Sequence, residues 1–133
     1  MPSKHRLLAL DGDEAVLKTI SKIASPHFQV LVTRDPRTLL GWVENFKDVE
    51  VVVTEHVLQT SHGVSLLETV RTMRPGARRV LLTTYHDLAS IVAGLHSGAI
   101  QQLVQKPFQP GELLSAILPD GMGEASFEQR ASA

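Results

Sequence analysis

Residues 49–54 read VEVVVT and run directly into 55–63, EHVLQTSHG. Val51, Val52 and Val53 are β-branched and apolar without alternation, which is the pattern of a strand covered on both faces. Such a strand belongs in the middle of a sheet with helices above and below it. The polar loop from Glu55 to His62 ends it. Gly63 then opens a segment with Val64, Leu66, Leu67 and Val70 at helical spacing, and Pro75-Gly76 terminates that helix.

The same unit repeats in both directions along the chain. Upstream, the apolar run Arg6 to Leu10 stops at Asp11-Gly12-Asp13 and gives way to Val16, Leu17, Ile20, Ile23 and Ala24 at helical spacing, with Pro26 beyond them. Gln29 to Thr33 is rich in β-formers. Asp35-Pro36 places a capping residue before a proline at the first helical position, ahead of a helix bearing Leu39, Leu40, Val43 and Phe46. Downstream come a fourth strand, Arg79 to Thr83, a helix capped by Asp87 and bearing Leu88, Ile91, Val92 and Leu95, a fifth strand at Gln101 to Gln105, and a last helix from Pro110 to Leu118. Five strands alternating with helices imply right-handed crossovers and an α/β, doubly wound, five-stranded parallel sheet. Residues 1–118 are expected to form this one domain. Residues 119–133 are Gly, Ser, Ala and charge around a single Phe127, with no periodic apolar face, and are expected to be a flexible C-terminal tail.

Composition excludes several function classes. The chain of 133 residues is long enough for one core, and its 43% hydrophobic and 20% charged residues describe an ordinary globular domain. A formal net charge of -1 supplies no positive field to gather nucleic acid or anionic lipid, so neither nucleic acid nor membrane is expected as a partner. The basic clusters Lys4-His5-Arg6 and Arg71 to Arg79 fit a strand start and a helix end as solvated structural charge. Absent cysteines rule out disulfides, thiolate metal sites and a cysteine nucleophile, which suits a reducing compartment. The run Leu7 to Leu10 is far too short for a signal peptide or a membrane span, and a cytoplasmic location is expected.

In an open parallel sheet, ligands sit beyond the carboxyl ends of the strands. Those ends hold Asp11 to Asp13, Glu55, Thr83-Thr84 and Lys106-Pro107. Acids, hydroxyls and an ammonium on one edge are the groups that magnesium-assisted phosphoryl transfer uses. The set and its order resemble the receiver domains of bacterial response regulators, of which the chemotaxis protein CheY is the simplest. LLALDGDEAVLK resembles the first strand and acidic pocket, VVVTEHVLQTSHG the third strand and phosphoacceptor loop, VLLTTYHD the fourth strand, and GAIQQLVQKPFQPGELL the fifth strand and last helix. The resemblance spans about residues 5 to 118. It implies the flavodoxin/CheY-like strand order 2-1-3-4-5, a cis peptide before Pro107 that aims Lys106 into the pocket, and switch-equivalent residues Thr83, Lys106 and Leu103.

The departures from the receiver pattern set the functional expectation. Glu55 stands where receivers carry the phosphoacceptor aspartate, and its extra methylene misplaces the nucleophilic oxygen by about an ångström, an error that costs roughly a hundredfold in rate. Where receivers carry an adjacent acidic pair this chain reads Asp11-Gly12, so the acidic pocket of Asp11, Gly12 and Asp13 is degenerate, and Asp13 is most simply a helix cap. Magnesium binding is therefore expected to be weak or absent, and no other cofactor is expected. The switch aromatic is replaced by Leu103. Glu55 is expected to reach Lys106 and form an ion pair, either imitating the phosphorylated state or neutralising a vestigial pocket.

The chain thus reads as a stand-alone pseudo-receiver in bacterial signal transduction, not an enzyme, which regulates through protein–protein binding without phosphorylation. The resemblance implies a partner or homodimer face on helix 4, strand 5 and helix 5, expected to include Ala89, Ala93, Gly94, Leu103 and Gln102. Two alternatives stand beside this reading. One is a genuine phosphoacceptor with an altered acidic pocket. The other is a small-ligand or metal sensor on the edge that carries His56, His62 and His86, although their spacing matches no compact ligand motif and loop histidines are more often solvated. His5, His27 and His96 read as surface residues, and neither a nucleophile-elbow motif nor a glycine-rich phosphate loop accompanies the serines and threonines.

Overall fold

The computed structural model describes residues 4–58, 62–84 and 87–119. Ten elements alternate: β1 (Arg6–Leu10), α1 (Glu14–Ala24), β2 (Gln29–Thr33), α2 (Pro36–Asn45), β3 (Val49–Glu55), α3 (Gly63–Met73), β4 (Arg78–Thr83), α4 (Leu88–Ser97), β5 (Gln102–Gln105) and α5 (Pro110–Ile117). The strands form one parallel sheet in the order β2-β1-β3-β4-β5, as the alternation and the resemblance required. Observed boundaries differ from the expected ones by about a residue, at ends where hydrogen-bond ladders stop. The expected tail, from residue 120 onward, lies outside the described residues, as do Ser61 and His86.

The pleat of β3 divides the core. Val52 faces one layer with Leu8, Leu10, Leu39, Leu67, Val70, Leu81 and Ile91, whereas Val51 and Val53 face the other with Leu17, Ile20, Val80, Leu82 and Leu113. Helices α2, α3 and α4 therefore cover one face and α1 and α5 the other, which is why β3 carries no polar residue between Val51 and Val53. Asp13, Asp35 and Asp87 cap α1, α2 and α4 as their positions predicted, each carboxylate accepting from a backbone N–H of the first turn. The last helix starts on a device the sequence reading did not identify, Glu112 Oε1 accepting from Gln109 N–H at 3.0 Å.

Two expectations are corrected. Arg79 is not solvated charge: it is 4% exposed, and its guanidinium donates to the carbonyls of Pro75, Ala77, Gly98 and Ala99 at 2.9–3.1 Å. The planar donor fork of the guanidinium meets four backbone carbonyls, and that match makes burial of the charge tolerable. On α4, the residues Leu88, Ile91, Val92 and Leu95 do not share a buried face. Only Ile91 and Gly94 are buried, while Leu88, Val92 and Leu95 are 58%, 50% and 43% exposed. Gly94 turns inward, where a Cβ would stand 2.8 Å from Ile100 Cδ1 and 2.9 Å from Val64 Cγ1, so glycine permits the close approach of α4. The sheet ends at the short strand β5, and among the described residues nothing covers the neighbouring apolar row of α4.

Candidate functional site

Register brings the chemistry together. β1 pairs with β3 through Leu10 and Thr54, β3 with β4 through Glu55 and Leu82, and β4 with β5 through Thr83 and Gln105. Asp11, Glu55, Thr83 and Lys106 therefore emerge side by side at the carboxyl edge of four adjacent strands. The Lys106–Pro107 peptide is cis, as the resemblance implied, and Lys106 N–H donates to the Thr83 carbonyl at 2.7 Å.

At the centre of the cluster Lys106 Nζ lies 2.6 Å from Asp11 Oδ2 and 3.7 Å from Glu55 Oε1. The expected Glu55–Lys106 ion pair is present, but Asp11, only 1% exposed, is the tighter partner. Asp11 Oδ1 accepts from Asp13 N–H at 2.9 Å, so both oxygens of the buried carboxylate are engaged. Glu55 turns its second oxygen, Oε2, onto the backbone N–H of Gly12. A Cβ at residue 12 would stand 3.2 Å from that oxygen, which is tighter than ordinary contact. The missing side chain at 12 and the extra methylene at 55 thus share one space, a coupling invisible when the two positions are read separately. Burial raises the Glu55 carboxyl above its ordinary range, the Gly12 N–H opposes that rise, the Asp11 carboxylate adds to it and Lys106 offsets part.

Gly63 packs closely against the end of β3. Its N–H donates to the His56 carbonyl at 2.6 Å, and a Cβ there would collide with the Glu55 carbonyl oxygen. His56, expected in solvent, is instead 2% exposed, with Nε2 at 3.4 Å from Asp87 Oδ2 and its ring 5.2 Å from that of His62. The signal was present: His56 continues the alternation of β3 by one residue, in step with Val52 and Thr54, which are both buried. Ser90 and then His56 hold the Asp87 carboxyl below its ordinary value. Among the described residues no three histidine or acidic side chains converge as a metal-binding group. Leu103 pairs with Leu81 across the sheet and packs half-buried on the core. His5, read as a surface residue, is exposed and meets Glu50 Oε2 at 3.0 Å.

The donor set suits magnesium poorly. Magnesium demands near-octahedral oxygen geometry with carboxylates free to face it. Here one carboxylate is held by an ammonium and a backbone N–H, the other by a backbone N–H, and residue 12 brings none.

The chain matches the response regulator receiver domain over residues 7–118 and belongs to that family. It is 36% identical over 116 residues to the photosynthetic apparatus regulatory protein RegA of Rhodovulum sulfidophilum, and 30% identical over 115 residues to RegA of Cereibacter sphaeroides. Each alignment covers 86% of this chain and 62% of the relative. A receiver domain protein (CheY-like) from Methanospirillum hungatei JF-1 superposes with a TM-score of 0.78 at 26% identity, covering 98% of this chain and 100% of that one. The chain spans less than two thirds of the first curated relatives, 24% of the hydrogenase transcriptional regulatory protein HoxA of Bradyrhizobium diazoefficiens among them. Receiver domains are signalling modules of two-component systems that act on other proteins, not enzymes. No helix among the described residues is long and apolar enough to cross a membrane.

Proposed function

We propose that this receiver domain is a pseudo-receiver, regulating protein partners without being phosphorylated. The observation that carries the reading is the closed circuit Gly12 N–H, Glu55, Lys106 and Asp11, in which the groups that phosphoryl transfer would need free are already bound to one another. Glu55, at the phosphoacceptor position, has Oε2 bound to the backbone N–H of Gly12. Lys106 is pre-engaged, and Thr83 stands in place without a reaction to serve. The apolar row Leu88, Val92 and Leu95, flanked by exposed Ala89 and Ala93, supports the expected face on α4, β5 and α5 as the contact for a partner or a second copy. Gly94 drops out of that face. A cytoplasmic location follows from the same reading.

The test compares the natural chain with a Gly12→Asp, Glu55→Asp double variant, adding beryllofluoride with magnesium and following amide spectra, then measuring phosphotransfer from acetyl phosphate. The natural chain should be silent in both assays and the double variant responsive. Phosphotransfer to the natural chain would sink the proposal and return phosphorylation to the mechanism.

A further inference from the structure

Next to the acidic cluster lies a groove of about 1020 Å³ that opens to solvent. Its floor is Gly12 and Glu55, at the ends of β1 and β3. In this strand order the chain runs outward from β1 to β2 and then returns to the other side of β1 as β3. The crevice between the ends of β1 and β3 is therefore the switch point where open α/β sheets hold ligands. The volume is at the upper end for small-molecule sites, roughly 300–1000 Å³.

The walls combine two chemistries. Leu17, Val32, Val57 and Leu58 supply apolar surface, and Val32 and Val57 are 37% and 58% exposed, large hydrophobic side chains left in solvent beside the cavity. Val57 is held in place by an antiparallel bridge to His62. Around them stand Lys18, Arg34 and Arg37, and among the described residues none of the three cationic heads has a hydrogen bond or ion pair. The acids of the groove are mostly committed. Asp35 caps α2 by accepting from Arg37 N–H at 2.9 Å, Glu55 is bound to Gly12 and faces Lys106, and only Glu14 remains against three cations. One stripe of α1 (residues 14, 17, 18 and 21) faces the groove, so an acid, a base, an apolar side chain and a hydroxyl are presented together on a rigid helix.

We infer that this groove is a binding site for a small amphipathic organic anion, whose phosphate, sulfonate or carboxylate head meets Lys18, Arg34 and Arg37 and whose apolar body lies on Val32 and Val57. Uncommitted cations beside uncovered apolar surface favour a ligand with both characters over an inorganic ion or a neutral hydrocarbon. The site does not depend on whether Glu55 can accept a phosphoryl group.

The test titrates the full chain with 8-anilino-1-naphthalenesulfonate, an anionic aromatic probe, following its fluorescence and using far-UV circular dichroism to confirm folding of each variant. The natural chain should bind it saturably at one site. An Arg34→Glu, Arg37→Glu variant should bind roughly a hundredfold more weakly, since two charge-assisted contacts are lost and each accounts for about tenfold. Val92→Asp, on the distant apolar row of α4, should bind as the natural chain does, and phenyl phosphate should compete better than inorganic phosphate. Lack of saturable binding would overturn the inference. So would loss of binding in Val92→Asp with none in the arginine variant, or equal competition by the two phosphates.

Discussion

Arg79 and Lys106, near opposite ends of the strands, are held in opposite ways. Arg79, at the start of β4, is surrounded by four neutral carbonyls and, among the described residues, no carboxylate, with Arg71 near enough to push its pKa further down after burial has lowered it. Lys106, just past the end of β5, sits between Asp11 and Glu55. The guanidinium satisfies a fixed backbone geometry, so its corner has one arrangement and works as scaffold. The ammonium balances charge among side chains, and that balance changes with one proton, one methylene or one substitution. Adjustable chemistry therefore belongs to the carboxyl edge, and the amino edge holds it in register.

The sharpest way to break this comparison is to remove each cation. Arg79→Met leaves the carbonyls of Pro75, Ala77, Gly98 and Ala99 without their donor, and is expected to cost about 3 kcal/mol. Lys106→Met leaves Asp11 buried beside Glu55, a type of loss that is severe when complete. Lys106 is 19% exposed, and water entering its place limits the expected cost to about 2 kcal/mol. Urea denaturation midpoints measured at neutral pH decide the order. A larger loss for Lys106→Met would make the carboxyl edge the scaffold and invert the assignment.

What sequence alone could show divides along the same line. The sheet was legible because Val51-Val52-Val53 has only one reasonable environment, and the caps because Asp13, Asp35 and Asp87 each precede an apolar helical pattern. The members of the carboxyl-edge cluster were legible because strand ends share an edge. Their contacts were not. Glu55 meets a backbone N–H 43 residues away, and nothing in the residue type at 12 announces a donor. Arg79 was misread for a similar reason: its partners are carbonyls in turns, which every residue carries and no sequence marks. On α4 the apolar residues fill two adjacent rows, and only the short edge strand decides which row is covered.

A double-mutant cycle sharpens the claim that residues 12 and 55 share one space. Gly12→Ala alone forces Glu55 away from its seat, because the new Cβ stands 3.2 Å from Oε2, and is expected to destabilise the domain by about 1 kcal/mol. With Glu55→Asp already present the carboxylate is withdrawn, and the same alanine should be neutral or slightly stabilising, since it lowers the entropy of the unfolded chain. Gly12 lacks the positive φ that would penalise alanine on its own account. The change of sign between backgrounds is the measured quantity. Equal costs in both would mean that the glycine and the glutamate are independent departures.

The smallest expected effect is one of pH. Burial leads the causes that raise the Glu55 carboxyl in the folded state, so in the window between its ordinary and raised values the native chain holds more protons than the unfolded one. Stability supplied by this group is complete below the ordinary value and is lost as pH rises through the raised one. Glu55→Gln keeps an oxygen for the Gly12 N–H without the charge, and its stability relative to the natural chain should therefore improve as pH rises across that window. Arg79→Met should show no corresponding change there, because a guanidinium stays protonated throughout. If the natural chain and Glu55→Gln kept a constant difference from acid to neutral pH, the carboxyl edge would be as insensitive to protons as the arginine corner, and the contrast between the two would reduce to geometry alone.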